Sequence, residues 1–232
     1  MQRLTREQAQ RGFTAKIRGV VTYVAPNLAS LIVQDSTRAI FVTHYAGGWN
    51  TGVPLVGELW EIEGISTPAD FAPVLQLRQA NRFGPGRLPD PVRPTWDQLL
   101  NGSLDAQYVE LQGIVTGVAT NRVTLLTRMG RLEANLLEFP PEQLAAFKGA
   151  LVRIRGCLFA EWDRDTHRVR INSGVQIGNP SLSVDEPAPA NPFNAVRKSA
   201  AELLYFDPQA SAFQRVRVVG QVLAQRDNAF YL

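Results

Sequence analysis

The side chains with most chemical potential in this sequence lie at alternating positions along four apolar runs. Lys16 and Arg18 flank Ile17, and Glu61 and Glu63 flank Ile62. About ninety residues later Glu110 and Gln112 flank Leu111, while Arg153 and Arg155 flank Ile154. A period of two puts the charged members of each run on one face of a strand and the apolar members on the other. If the first and second run of each set are neighbours, opposite charges face each other across strands. The sign is inverted between the sets, bases first in one and acid first in the other. A phosphate-binding stripe has no need of that inversion, whereas a ladder of cross-strand pairs on a solvated wall keeps its partners through it. Each such pair contributes about 0.2–1 kcal/mol. The charged residues Lys16, Arg18, Glu61, Glu63, Glu110, Arg153 and Arg155 are therefore read as structural.

A second group has the types used to bind single-stranded nucleic acid. Phe41 and Tyr45 alternate, with Trp49 just beyond and Arg38 just before. Bases stack on exposed aromatic rings beside cations. The corresponding stretch of the second set, Arg131 to Leu136, has no aromatic residue, and Ile40, Val42 and His44 offer an equally apolar opposite face. Ordinary packing is the favoured reading of these rings, and stacking the alternative.

Other chemistry has little support. His44 and His167 are isolated, and the single cysteine, Cys157, lies on an apolar strand and reads as a small buried hydrophobe. Glu161, Asp163 and Asp165 alternate but lack the glycine and distal glutamate of a calcium loop. No phosphate-binding glycine loop or nucleophile elbow is present. The expectation is a non-catalytic protein with no cofactor and no metal.

The elements that position these residues follow from repetition. Gly57-Glu-Leu-Trp-Glu-Ile-Glu-Gly64 matches Gly149-Ala-Leu-Val-Arg-Ile-Arg-Gly156, and Lys16-Ile-Arg-Gly-Val-Val-Thr22 matches Glu110-Leu-Gln-Gly-Ile-Val-Thr116. A third copy, Arg217-Val-Val-Gly-Gln-Val-Leu223, follows. Each copy is introduced by a capping box: Thr5 with Gln8, Thr95 with Gln98, and Ser199 with Glu202. Proline-rich stretches at 84–94 and 186–192 separate the copies and read as semi-rigid spacers. The predicted units are 1–90, 91–190, and 191–232 as the leading helix and first strands of a truncated third.

Within unit one, strands are predicted at 15–24, 29–35, 39–45, 57–65 and 73–80. Unit two has them at 107–119, 122–127, 130–137, 150–159 and 167–172, with a short helix at 140–147 whose prolines suit its first turn. Three strands, a crossover and two strands is the order of the OB-fold, the small five-stranded Greek-key barrel. The fold class expected is all-β with short helices: tandem OB-fold-like barrels, each preceded by a short capping helix.

The chain has 232 residues, of which 45% are hydrophobic, with a net charge of +3. That suffices for packed cores and provides no membrane-length apolar run. Only three of the 24 basic residues are lysines. Arginine suits phosphate recognition, but an excess of three charges is small for a nucleic-acid binder.

The phrases Arg18-Gly-Val-Val-Thr22, Leu31-Ile-Val-Gln-Asp35, Asp70-Phe-Ala-Pro-Val74 and Glu186-Pro-Ala-Pro-Ala190, in this order, resemble the tandem OB-like modules in the extracytoplasmic sensory regions of bacterial two-component sensor histidine kinases. The resemblance covers nearly the whole chain and specifies the module rather than a ligand. It implies a periplasmic part of a membrane-anchored protein. This part would bind a small molecule, a glycan or a protein, and signal to downstream kinase domains of the same polypeptide. It implies no catalytic residue here. Unit two departs from the pattern where Thr127-Arg128 replaces the Gln-Asp. A cytoplasmic single-strand binder and a purely structural spacer are the alternatives.

Overall fold

The computed structural model describes residues 4–44, 52–161, 163, 165, 169, 174–205, 207–208, 210, 212–226 and 229–231. Tyr45, Trp49 and His167 lie outside the described residues.

Alternation of apolar and polar side chains drives five strands into the first barrel: β1 (Thr14–Val24), β2 (Ser30–Gln34), β3 (Ala39–Thr43), β4 (Glu58–Thr67) and β5 (Val74–Pro85). Their order around the barrel is β1-β2-β3-β5-β4, closed by antiparallel pairing of β4 with β1. The β3–β5 contact is parallel and the other pairs are antiparallel. The second barrel repeats this order with β6 (Tyr108–Ala119), β7 (Arg122–Thr127), β8 (Gly130–Leu136), β9 (Leu151–Phe159) and β10 (Val175–Glu186). Closure leaves no free sheet edge. This strand order makes the protein all-β, with two OB-type barrels.

Two short helices, α1 (Arg6–Ala9) and α2 (Trp96–Leu100), lead into the barrels. Each starts at a full capping box: Thr5 and Gln8 cap one another, as do Thr95 and Gln98. Ser199 and Glu202 exchange the same two hydrogen bonds ahead of a 3₁₀ turn. A third helix, α3 (Pro141–Leu144), runs on into another 3₁₀ turn between β8 and β9. Its leucine, Leu144, is fully buried and plugs the second core. Beyond Glu186 the described chain forms only small pieces: β11 (Val196–Arg197) beside β12 (Val216–Arg217), and β13 (Ala224–Arg226) beside β14 (Ala229–Tyr231).

The inward set of unit one is Val21, Leu31, Val33, Ile40, Val42, Trp60, Ile62 and Leu75. Ile40 and Val42 thus decide which face of β3 points inward, and Phe41 is turned out of the barrel. Trp60 is fully buried, and its indole N–H donates to Glu58 at 3.0 Å. Arg82 and the Leu55 N–H also hold that carboxylate. Burial works against the charge of Glu58, but these three donors keep its carboxyl below the usual range.

The strand predicted at 167–172 lies, except for residue 169, outside the described residues; β10 runs from Val175 to Glu186. At Gly178-Asn-Pro180 the strand bulges: pairing skips from Gly178↔Cys157 to Ser181↔Arg155, and Asn179 takes φ 49. A bulge accommodates a proline that a regular ladder position excludes.

Candidate functional site: the seam and the cleft between the barrels

The charged strand residues pair in two different ways. In the first barrel Lys16 lies opposite Glu63, and Arg18 opposite Glu61. Lys16 Nζ nevertheless reaches diagonally to Glu61 at 2.8 Å, and the Arg18 guanidinium lies over the Phe83 ring at 4.3 Å. Lys16 and Arg18 are exposed, as a solvated wall requires. In the second barrel Glu110 lies opposite Arg155 and bonds it at 2.8 Å. Glu110 is not on a solvated wall, because its side chain is only 3% exposed. The reason is the proline-rich segment before α2. Val92 bridges to β6, and Arg93 folds over the carboxylate at 2.9 Å. Burial opposes the Glu110 charge; Arg155 and Arg93 overcome this and hold its carboxyl below the ordinary range. Arg153 turns mainly to Asp185 on β10, which also accepts from Gln112 at 2.6 Å.

The segment before α2 is thus no free spacer, and the two barrels share a buried seam. Tyr23, Ile32 and Ala39 of the first barrel pack with Ala106, Tyr108 and Cys157 of the second, with Phe41, Leu88 and Phe159 at the margin. Phe41 is half-buried here, its ring 5.7 Å from that of Phe159. A seat in this seam replaces the stacking-platform reading of Phe41. Arg38 is exposed, and its Nη2 donates to the Ser103 carbonyl across the seam at 3.4 Å. Cys157 is fully buried, and desolvation pushes its thiol up to about 12, so it stays protonated.

The Gln34-Asp35 pair of the repeated motif has two local jobs. Asp35 accepts from the N–H groups of Thr37 and Arg38 and from the Thr37 hydroxyl, which fixes the β2–β3 turn. Gln34 crosses the seam and accepts the backbone N–H of Tyr108 at 3.0 Å. In unit two the turn is held instead by Thr127, whose hydroxyl donates to Gly130 and accepts from Met129 N–H.

Two glycines let the barrels close on each other. A Cβ on Gly178 would lie 2.3 Å from the Phe159 ring and 2.8 Å from that of Tyr23. Gly102, at φ +69, receives the tip of Phe71 where a Cβ would lie 2.8 Å from it. Neither contact carries a sequence signal, since each partner is far away along the chain.

Beside the seam opens a cleft of about 640 Å³. Its first-barrel wall includes Tyr23, Phe41, Asp70 and Phe71. Its second-barrel wall includes Asp105, Phe159, Glu161 and Gln176. Asp70 and Phe71 belong to the β4–β5 loop, one of the two loops with which OB barrels contact ligands. Asp105 is fixed by the Ala160 N–H at 2.9 Å, and burial pushes its carboxyl up to about 6. Glu161 accepts from Gln176 at 3.0 Å. Of these cleft residues the sequence singles out Phe41 as a stacking candidate, Glu161 within an alternating acidic set, and Asp70 and Phe71 within a motif phrase; Tyr23, Asp105, Phe159 and Gln176 carry no sequence signal. Among the described residues no group of three His, Cys, Asp or Glu side chains is placed to hold a metal ion.

No protein-family model matches the chain, and no curated protein matches it. Solved structures align with it only loosely. The hypothetical protein ygiW from E. coli is 16% identical, covering 33% of this chain and 84% of its own, with a TM-score of 0.28. A murine DNA-binding protein bound to double-stranded DNA is 12% identical over 76% of this chain and 98% of its own, at 0.39. Fission yeast Pot1 with single-stranded DNA is 10% identical over 79% and 85%, at 0.37. At these values the likenesses say nothing of what this chain binds, and the fold rests on its own strand order.

Proposed function

We propose that this chain is a non-catalytic ligand-binding part of the extracytoplasmic sensory region of a bacterial sensor histidine kinase. One observation carries the reading: a cleft of about 640 Å³ straddles the seam, so that a bound molecule touches both barrels at once. A ligand that binds one relative arrangement of the barrels better than another shifts the balance between them by its difference in affinity. Such a shift is a signal that downstream domains of the same polypeptide can receive. The motif resemblance supports the same reading. A single-strand binder has less support, because Phe41 is engaged in the seam and the cleft presents carboxylates to any phosphate. A pure spacer has no use for a cleft of this size.

The test is the gene beyond codon 232, together with a fusion of alkaline phosphatase at that codon, which is active only outside the cytoplasm. The reading expects a membrane span and kinase motifs downstream, and an active fusion. A downstream region with neither feature, or an inactive fusion beside a stable protein, overturns it.

A further inference from the structure

We propose that residues 196–231 open a third barrel, and that their bare inward face takes further β-strands of the same polypeptide. This goes beyond the sensory reading, which asks for a membrane span and a kinase but for no third barrel.

Three local features of the complete units recur here at the same spacing. Ser199 and Glu202 cap one another as Thr95 and Gln98 do. Val92, three residues before its cap, bridges in parallel to Val109, four residues before Gly113. Val196 and Val216 make the same parallel pair, three residues before Ser199 and four before Gly220. The hairpin register is the third feature. The residue five after the strand glycine pairs as Val24↔Leu31 in the first barrel, Val118↔Val123 in the second and Gln225↔Phe230 here.

What does not recur is burial. Val21 and Val115, two residues after their glycines, are 0% and 1% exposed, whereas Val222 is 54% exposed. Leu99, four residues after its cap, is 5% exposed, and its counterpart Leu203 is 49% exposed. In the first barrel Val21 shares its core with Leu31, Val33, Ile40, Ile62 and Leu75, which come from β2 to β5. The counterparts of those strands are what the third copy needs. Among the described residues β13 and β14 form a sheet of two strands only. Such a hairpin does not bury a face alone, and its open edges are templates for further strands. By register, the second barrel has Gly117, Thr124, Arg131 and Glu133 where the first has Tyr23, Ile32, Ala39 and Phe41. That face is polar, so the third barrel does not reuse the seam and folds as a separate body.

The experiment is hydrogen exchange, read by mass spectrometry, on the 232-residue chain and on the full encoded polypeptide. The amides of 218–225 are expected to exchange freely in the shorter chain and about a hundredfold or more slowly in the full one. In the full polypeptide Val222→Asp, on the inward face, is expected to abolish that protection while β1 and β6 keep theirs. Val219→Asp, at the outward position that Arg18 and Gln112 hold in the other units, is expected to leave the protection in place. Equal effects of the two substitutions, or a segment that stays unprotected in the full polypeptide, overturn the third barrel. A gene that stops at codon 232 also overturns it. Protection that appears in the 232-residue chain only as its concentration rises makes a second copy the occupant, and overturns the proposal in that way. The sensory reading is judged apart from all of these, by the membrane span and kinase motifs.

Discussion

The ring of Tyr23, on the first barrel, meets the ring of Phe159, on the second, edge to face with centroids 4.9 Å apart and planes at 75°. The Tyr23 hydroxyl continues across the seam to Glu138 at 3.2 Å. This contact joins units whose residues lie more than a hundred positions apart, and the two barrels are expected to unfold together. Phe159→Ala removes it together with the Phe41 contact. A loss of about 2–3 kcal/mol is expected, and chemical denaturation is expected to split from one transition into two. Gly178→Ala, which drives a methyl into both rings, is expected to cost about 1–3 kcal/mol by overpacking. A single unshifted transition in both variants contradicts a structural seam.

Asp105 gives the protein a pH dependence of unusual sign. Its carboxyl titrates at about 6 when folded, against 3.8 ordinarily. Below both values the folded and unfolded chains bind the proton alike. Between them the folded chain binds more, so this group's contribution to stability falls as pH rises, and it is lowest above 6. Asp105→Asn is therefore expected to stabilise the protein by about 2–3 kcal/mol at pH 8 and hardly at all at pH 4. Melting curves of the two proteins across pH 4 to 8 measure this.

Glu110 has the opposite sign, because its carboxyl is lowered by its arginines. Its contribution is complete above the ordinary value of 4.5 and is lost as pH falls below it. Glu110→Ala leaves Arg155 and Arg93 without their carboxylate and is expected to cost about 2 kcal/mol at neutral pH. Lys16→Ala breaks a pair whose lysine is 56% exposed and is expected to leave the midpoint where it was. Equal effects of the two substitutions contradict the difference in burial.

Nucleic acid gives a fourth test. Fluorescence anisotropy with a labelled single-stranded oligonucleotide is expected to show no micromolar binding at about 50 mM salt, where phosphate contacts are strongest. Phe41→Ala is expected to lower stability through the seam. Tight binding that weakens steeply with salt, and is lost in Phe41→Ala without loss of stability, reverses this.

Much of the architecture was legible before any coordinates. Capping boxes at Thr5, Thr95 and Ser199 depend on contacts three residues apart, and a period of two marks Ile17, Trp60, Ile62 and Ile154 as inward-facing. These are local or repeated patterns, so the sequence alone determines two five-stranded units, most of their strands and the opposed charges of β1 with β4 and of β6 with β9. Local patterns do not carry beyond the strand itself. Alternation from Lys16 and Arg18 puts Tyr23 on the inward face, and only the register shift between Val21 and Tyr23 turns it outward. Alternation leaves either face of the Phe41 strand open, and it does not say that Tyr23, Phe41 and Phe159 meet. It places Glu110 on an outer face, but the covering Arg93 arrives from a segment whose prolines look like a spacer. It gives no sign of the bulge at Gly178-Asn-Pro180, which only pairing with β9 makes. The seam and its acidic, aromatic cleft were decided by the tertiary structure. They arise where outward faces of two separately closed barrels meet, and the free energy of that meeting depends on shape across residues that no short-range pattern links.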